Sequence, residues 1–203
     1  EVAAAACECL SVFLLATRRR HGVVSALALV EDASGDIAAI KAVISVIALS
    51  VQSKPIAEMV CEAACGCLAQ LAGLGEPAVA EIVKCEGTSR VWLTLKQLGE
   101  TGRARRLGLV AHVVSVLEQM CRYSPGDLRV RAADTLLKVC DIYDGEGDVC
   151  TLGLRALNSL YAERPSLTAA LLEREQQHAL EGDSSPTSDS HACPLQIILR
   201  NMR

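Results

Sequence analysis

Fourteen side chains in this sequence have the chemistry of nucleophiles or metal ligands, ten cysteines and four histidines. Their spacing decides what they can do. A structural zinc site needs paired ligands such as C-x-x-C with a second pair at fixed distance. No C-x-x-C occurs. Cys61 and Cys65 stand four apart and share a helix face, but no second ligand pair accompanies them. Cys7, Cys9, Cys61, Cys65, Cys67, Cys121, Cys140 and Cys150 all fall in apolar, helix-periodic sequence, where a free cysteine acts as a small hydrophobe. Free thiols at that density imply a reducing, intracellular and so cytoplasmic setting. His21, His112, His178 and His191 form no H-E-x-x-H and no other ligand pair. His112, among Val110, Val113 and Val114, reads as a partly buried structural residue.

Other catalytic signatures are missing too. There is no G-x-S-x-G, no G-x-x-x-x-G-K-[ST] and no strand-linked G-x-G-x-x-G. Gly145-Glu-Gly147-Asp148 reads as an interhelical turn, and Glu173-Arg-Glu175 as a solvated charge run rather than a paired-carboxylate site. The expectation is a chain that is not an enzyme and that needs no cofactor and no metal. Ser185-Pro186 has the form of a proline-directed phosphorylation site, but a plain linker is the preferred reading of this stretch.

The elements that would position such residues are helices. Half of the 203 residues are hydrophobic (51%), yet only 2% are aromatic, so the core must be built from Ala, Leu, Val, Ile and Cys. Ala and Leu lose little rotamer freedom in a helix, whereas a β-sandwich normally shows more aromatic and β-branched residues. The net charge of −4 speaks against a nucleic-acid partner, which needs a basic stripe to displace counterions. The clusters Arg18-Arg19-Arg20 and Arg103-Ala-Arg105-Arg106 are short and read as solvated loops or helix starts. No apolar run reaches the ~18 residues of a membrane span, so no membrane partner is expected. No signal peptide is visible, and the chain opens at Glu1 within a helical pattern, as a fragment or a processed product would.

Periodicity and breakers predict helices over 1–16, 22–32, 36–51, 55–73, 76–85, 88–98, 103–122, 127–143, 147–162 and 165–179. Gly35, Pro55, Gly75, Gly87, Pro125, Gly145 and Pro165 separate them, with Ser34 and Ser124 as candidate caps. Internal similarity then organises the helices. Glu1 to Leu10 laid over Met59 to Leu68 matches at Val2/Val60, Ala5/Ala63, Ala6/Ala64, Cys7/Cys65, Cys9/Cys67 and Leu10/Leu68. Val113-x-x-x-Leu117 and Gly153-x-x-x-Leu157 share the looser pattern. The four anchor leucines Leu10, Leu68, Leu117 and Leu157 are spaced 58, 49 and 40 residues apart, irregular but near the period of helical repeats. A helix of this kind cannot cover its own apolar stripe, and stacked units can.

Glu62-Ala-Ala-Cys-Gly-Cys-Leu-Ala-Gln-Leu-Ala72 resembles the third helix of an armadillo repeat. Glu76 to Gly87 resembles the next first helix with its closing glycine, and Thr88 to Leu98 the second. The cysteine in the third helix and the long spacing are most similar to the armadillo regions attached to leucine-rich-repeat kinases. The resemblance implies an all-α, right-handed α-solenoid over residues 1–180, about four units with the first and last incomplete. A disordered polar linker over 181–193 and a short helical tail or further repeat over 194–203 would follow. HEAT-like and other α-solenoids fit the degenerate motif as well. The resemblance also implies a scaffold that binds a protein or an extended peptide segment along a concave groove lined by third helices. The competing expectation is a structural or regulatory spacer within a larger enzyme such as a kinase. The groove-facing candidates are Glu8, Glu62, Gln70, Gln119 and Arg155. Importin-type proteins carry a Trp–Asn ladder on these helices. The matching pairs here are Glu8/Val12, Gly66/Gln70, Ser115/Gln119 and Arg155/Ser159, so nuclear-signal binding of that type is not expected.

Overall fold

The computed structural model describes residues 2–31, 36–52, 58–87, 89–91, 93–94, 107–124 and 126–142, together with 151, 153–156, 169 and 173. Every regular element among them is helical, and the class is all-α. The named helices are α1 (Val2–Ala28), α2 (Ala38–Gln52), α3 (Glu58–Ala72), α4 (Glu76–Lys84), α5 (Leu107–Tyr123) and α6 (Gly126–Ile142). The expected helix over 147–162 is described only at 151 and 153–156, all helical, and the one over 165–179 only at 169 and 173; the linker over 181–193 and the tail over 194–203 lie outside the described residues. So do the caps at Ser34 and Gly35, the cluster from Arg103 to Arg106 and the anchor Leu157.

Each helix buries the stripe that its sequence spaces for burial. In α2 the buried positions are Ile40, Val43, Ile44, Ile47 and Ser50, one face at helical spacing. Ser50 turns its hydroxyl inward to its own helix and donates to the Ile47 carbonyl at 2.8 Å, which makes its burial affordable. α3 differs. It buries Cys61, Ala64, Cys65, Gly66, Cys67, Leu68, Ala69, Leu71 and Ala72, which is most of its circumference. A helix apolar all round belongs in the middle of a bundle, and α3 packs against α1, α2 and α5, with a smaller contact to α4. Its small residues permit that company, since Ala and Gly let neighbouring backbones come close. α6 packs on α5.

Two helix boundaries depart from expectation. α1 does not stop near residue 16. Helical backbone runs on through the three arginines, which are good helix formers, until Gly22, at φ 84° and ψ 175°, breaks it. Only glycine populates that region readily. The Arg18–Arg20 cluster is therefore the last turn before a kink and not a loop or a helix start. Arg18 is half-buried, and its Nη1 makes a long contact of 3.5 Å with the Gly73 carbonyl at the end of α3, where a cation meets the negative end of the helix dipole. At Gly87, the second departure, the backbone is helical rather than broken. The break falls earlier, at Cys85 and Glu86, with Glu86 at φ 56°. Gly75 does open α4 as a breaker, at φ 102°, and Pro77 sits in the first turn where its missing N–H has no helical partner to lose. Ser124 is buried, and its hydroxyl makes no hydrogen bond, so it does not cap α6.

Candidate functional site

A groove of about 460 Å³ runs along one side of the row α1, α3, α5. α1 supplies Glu8, Ser11, Val12 and Leu15; α3 supplies Met59, Glu62, Ala63, Gly66 and Gln70; α5 supplies His112. The two longer sets have i, i+3, i+4, i+7 spacing, so each is a single stripe of its helix. Both stripes carry polar and apolar residues, and the groove can hold a side chain's hydrocarbon stem as well as hydrogen-bond its polar end.

Its floor is set by Gly66. A Cβ at that position would lie 3.1 Å from His112 Nε2, so the imidazole rests directly over the α3 backbone. His112 is half-buried. Burial holds its imidazole below the ordinary histidine value, while the neighbouring Glu62 acts in the opposite direction. The Glu62 carboxylate also reaches toward α5, where Oε1 lies against the position a Gly108 side chain would fill. Glu8 and Glu62 thus bring two carboxylates from adjacent helices to one opening, with a largely neutral imidazole beside them.

Three of the five residues expected to face a groove line this one: Glu8, Glu62 and Gln70. Gln119, half-buried on α5, and Arg155, exposed in the short described segment 153–156, do not. Of the pairs matching the ladder positions, Glu8/Val12 and Gly66/Gln70 are all groove residues, whereas Ser115/Gln119 are not. Met59 and His112 were not singled out as groove residues by sequence. Met59 was legible in principle, because it stands one helical step before Glu62 and Ala63 on the same stripe. His112 was not, because its place depends on how α5 lies across α3.

Most of the described cysteines are structural in their surroundings. Cys7, Cys61, Cys65, Cys67 and Cys121 are buried as free thiols, Cys85 is half-buried, and Cys9 departs from the expected pattern by being exposed. Burial pushes Cys67 up to about 11 and Cys121 up to about 12. Cys65, hydrogen-bonded to Cys61 and enclosed, is held well above the usual thiol range. Thiols in that condition are poor nucleophiles and poor ligands. Among the described residues no group of three His, Cys, Asp or Glu is placed to hold a metal ion, and no helix is long and apolar enough to cross a membrane.

A second opening of about 560 Å³ lies between α2 and α4, lined by Lys41, Ser45, Glu81, Lys84, Cys85 and Arg90 among others. Lys84 Nζ pairs there with Asp36 Oδ1 at 3.0 Å and Glu81 Oε2 at 3.2 Å. Both acids raise its ammonium value, hydrogen bonding to Asp36 most. The pair with Asp36 is exposed on both sides, so it pins α4 to the start of α2 only weakly.

Comparison with protein-family models, with curated proteins and with solved structures returned no match.

Proposed function

We propose that this chain is an armadillo-like α-solenoid that works as a protein-binding scaffold, holding an extended segment of a partner in the groove across α1, α3 and α5. The carrying observation is the row itself. The anchor leucines found by internal similarity, Leu10, Leu68 and Leu117, sit on α1, α3 and α5, which are the helices that stand side by side with α3 in the centre. Helices that match in sequence and stack in space are what a repeat array requires. Glu8, Glu62 and Gln70 on that row offer acceptors and an amide to a partner's backbone or side chains, and Met59 and Val12 offer exposed apolar contact. Free buried thiols support a reducing, intracellular site of action.

The test is selection from a displayed library of unstructured peptides on the immobilised chain. Glu62→Ala with Gln70→Ala should abolish capture of the selected peptides. Gln52→Ala, on the exposed side of α2, should leave it unchanged. Both variants should keep the helical circular dichroism of the parent. Equal capture by the groove variant removes the groove as the binding site.

A further inference from the structure

The opening between α2 and α4 shares no lining residue with the groove across α1, α3 and α5, and its charge is of the other sign. On α2, Lys41, Ile44, Ser45 and Ala48 line it at i, i+3, i+4 and i+7, which is one stripe of the helix. Glu81, Lys84 and Cys85 at the end of α4 line it too, with Arg90 on the helical backbone that follows Gly87. The two sides are held together at Gly87, where a Cβ would lie 3.0 Å from Ile44 Cδ1. Gly87 stands three residues before Arg90, so close packing there fixes where the backbone that carries the arginine sits over α2.

Three cations and two carboxylates line this opening, and both carboxylates are engaged. Asp36 Oδ1 and Glu81 Oε2 pair with the one ammonium of Lys84, at 3.0 Å and 3.2 Å, and Glu81 Oε1 accepts from Cys85 Sγ at 3.5 Å. Neither Lys41 nor Arg90 has a carboxylate partner among the described residues. The Ser45 hydroxyl donates to the Lys41 carbonyl at 2.8 Å. The donors that remain are the Lys41 ammonium and the Arg90 guanidinium. Ile44 and Ala48, on the same stripe as Lys41, give the lining an aliphatic part. Two uncompensated cations beside aliphatic surface complement a chain segment that carries carboxylates on either side of an apolar residue. An inorganic anion would leave the aliphatic part uncovered, and a purely apolar segment would cover two cations without pairing them, which costs free energy. The net charge of the chain is −4, so a local excess of positive charge also orients an acidic partner toward this face. We propose that the opening between α2 and α4 is a second docking site, which takes an acidic segment of a partner protein with one carboxylate on Lys41 and another on Arg90. The guanidinium suits a two-bond contact with its carboxylate, and the ammonium acts as a point charge. The site is separate from the groove, so it stands or falls independently of peptide binding there.

Fluorescence anisotropy on the full chain tests this. The probe is a short dye-labelled peptide of glutamates around a central leucine, and the control peptide carries glutamines in their place. The acidic probe should bind, with a Kd of roughly tens of micromolar, and more weakly as salt is raised; the control should not bind. Lys41→Gln with Arg90→Gln should weaken the acidic probe about tenfold or more while the helical circular dichroism is kept. Should that pair fold poorly, Lys41→Glu alone, at an exposed position, should still weaken binding several-fold. Glu62→Ala with Gln70→Ala should bind the acidic probe as the parent does. Equal binding of probe and control overturns the proposal, as does a folded Lys41 and Arg90 variant that binds like the parent. Inorganic phosphate that displaces the probe at equal concentration would make the opening a plain anion site and overturns the segment as its occupant. Probe binding that appears only after Glu181→Ser, Asp183→Ser and Asp189→Ser are made together would put the chain's own acidic stretch there and overturns the partner.

Discussion

His112 shows how much a single residue can depend on its neighbours. Its ring is sandwiched between solvent and the α3 backbone at Gly66, and burial disfavours its charged form. The unfolded chain therefore takes up a proton below about pH 6.5 that the folded chain takes up only at lower pH. Stability from this residue is complete above the unfolded value. It declines as pH falls from there toward the folded value and levels off below it. Thermal unfolding followed from about pH 7.5 down to about pH 5.5, above the range where most carboxylates titrate, should show this loss. His112→Gln should flatten the slope, and an unchanged slope would assign it to another group. The buried thiols obey the same rule of surroundings. Cys7 and Cys9 are two residues apart in sequence, yet one is enclosed and the other exposed, because among the described helices α1 packs chiefly against α3 and Cys7 is on the side that meets it.

Among the elements, the turn after α4 shows why glycine was a good signal for something other than what it first suggests. Gly87 reads as the closing glycine of a helix, but Cys85 and Glu86 make the turn and Gly87 begins helical backbone again. Its requirement is room. A Cβ there would lie 2.7 Å from Ile82 Cγ2 and 3.0 Å from both Ile44 Cδ1 and the Ile82 carbonyl oxygen, and Ile82 is fully buried. Gly87→Ala should therefore destabilise the protein by roughly 1–3 kcal/mol, the usual effect of overpacking a core, as read by urea denaturation. A neutral or stabilising result would mean that α2 and α4 can part without loss at this point. At Gly22 the demand is on the backbone instead: the surroundings are open, and only the dihedral angles require glycine.

For the molecule as a whole, the central question is what α3 supports. It touches α1, α2 and α5, and Leu68 lies fully buried on it. Leu68→Ala should lower the unfolding free energy by about 2–5 kcal/mol, the range for a buried leucine whose cavity cannot fully collapse. Chemical denaturation should show one cooperative transition shifted by that amount. A loss within experimental error would mean the row of helices does not close on this residue. The all-α class and the positions of most described helices were legible in the sequence. Helical periodicity and small-residue patterns are local properties of the chain, and the Cys61–Leu68 run carries them openly. The stripe containing Glu8 and that containing Glu62 and Gln70 were legible for the same reason. The structure decided which stripes meet. Gln119 and Gln70 occupy matching places in their helices, yet only Gln70 lines the groove, because the stripe that α5 buries, with Val113, Leu117 and Met120 in it, fixes how that helix is turned. The continuation of α1 to Gly22 and the seat of His112 over Gly66 were likewise settled in three dimensions. Spacing along a helix fixes which residues share a face, but which face is buried depends on the neighbours that arrive from distant sequence.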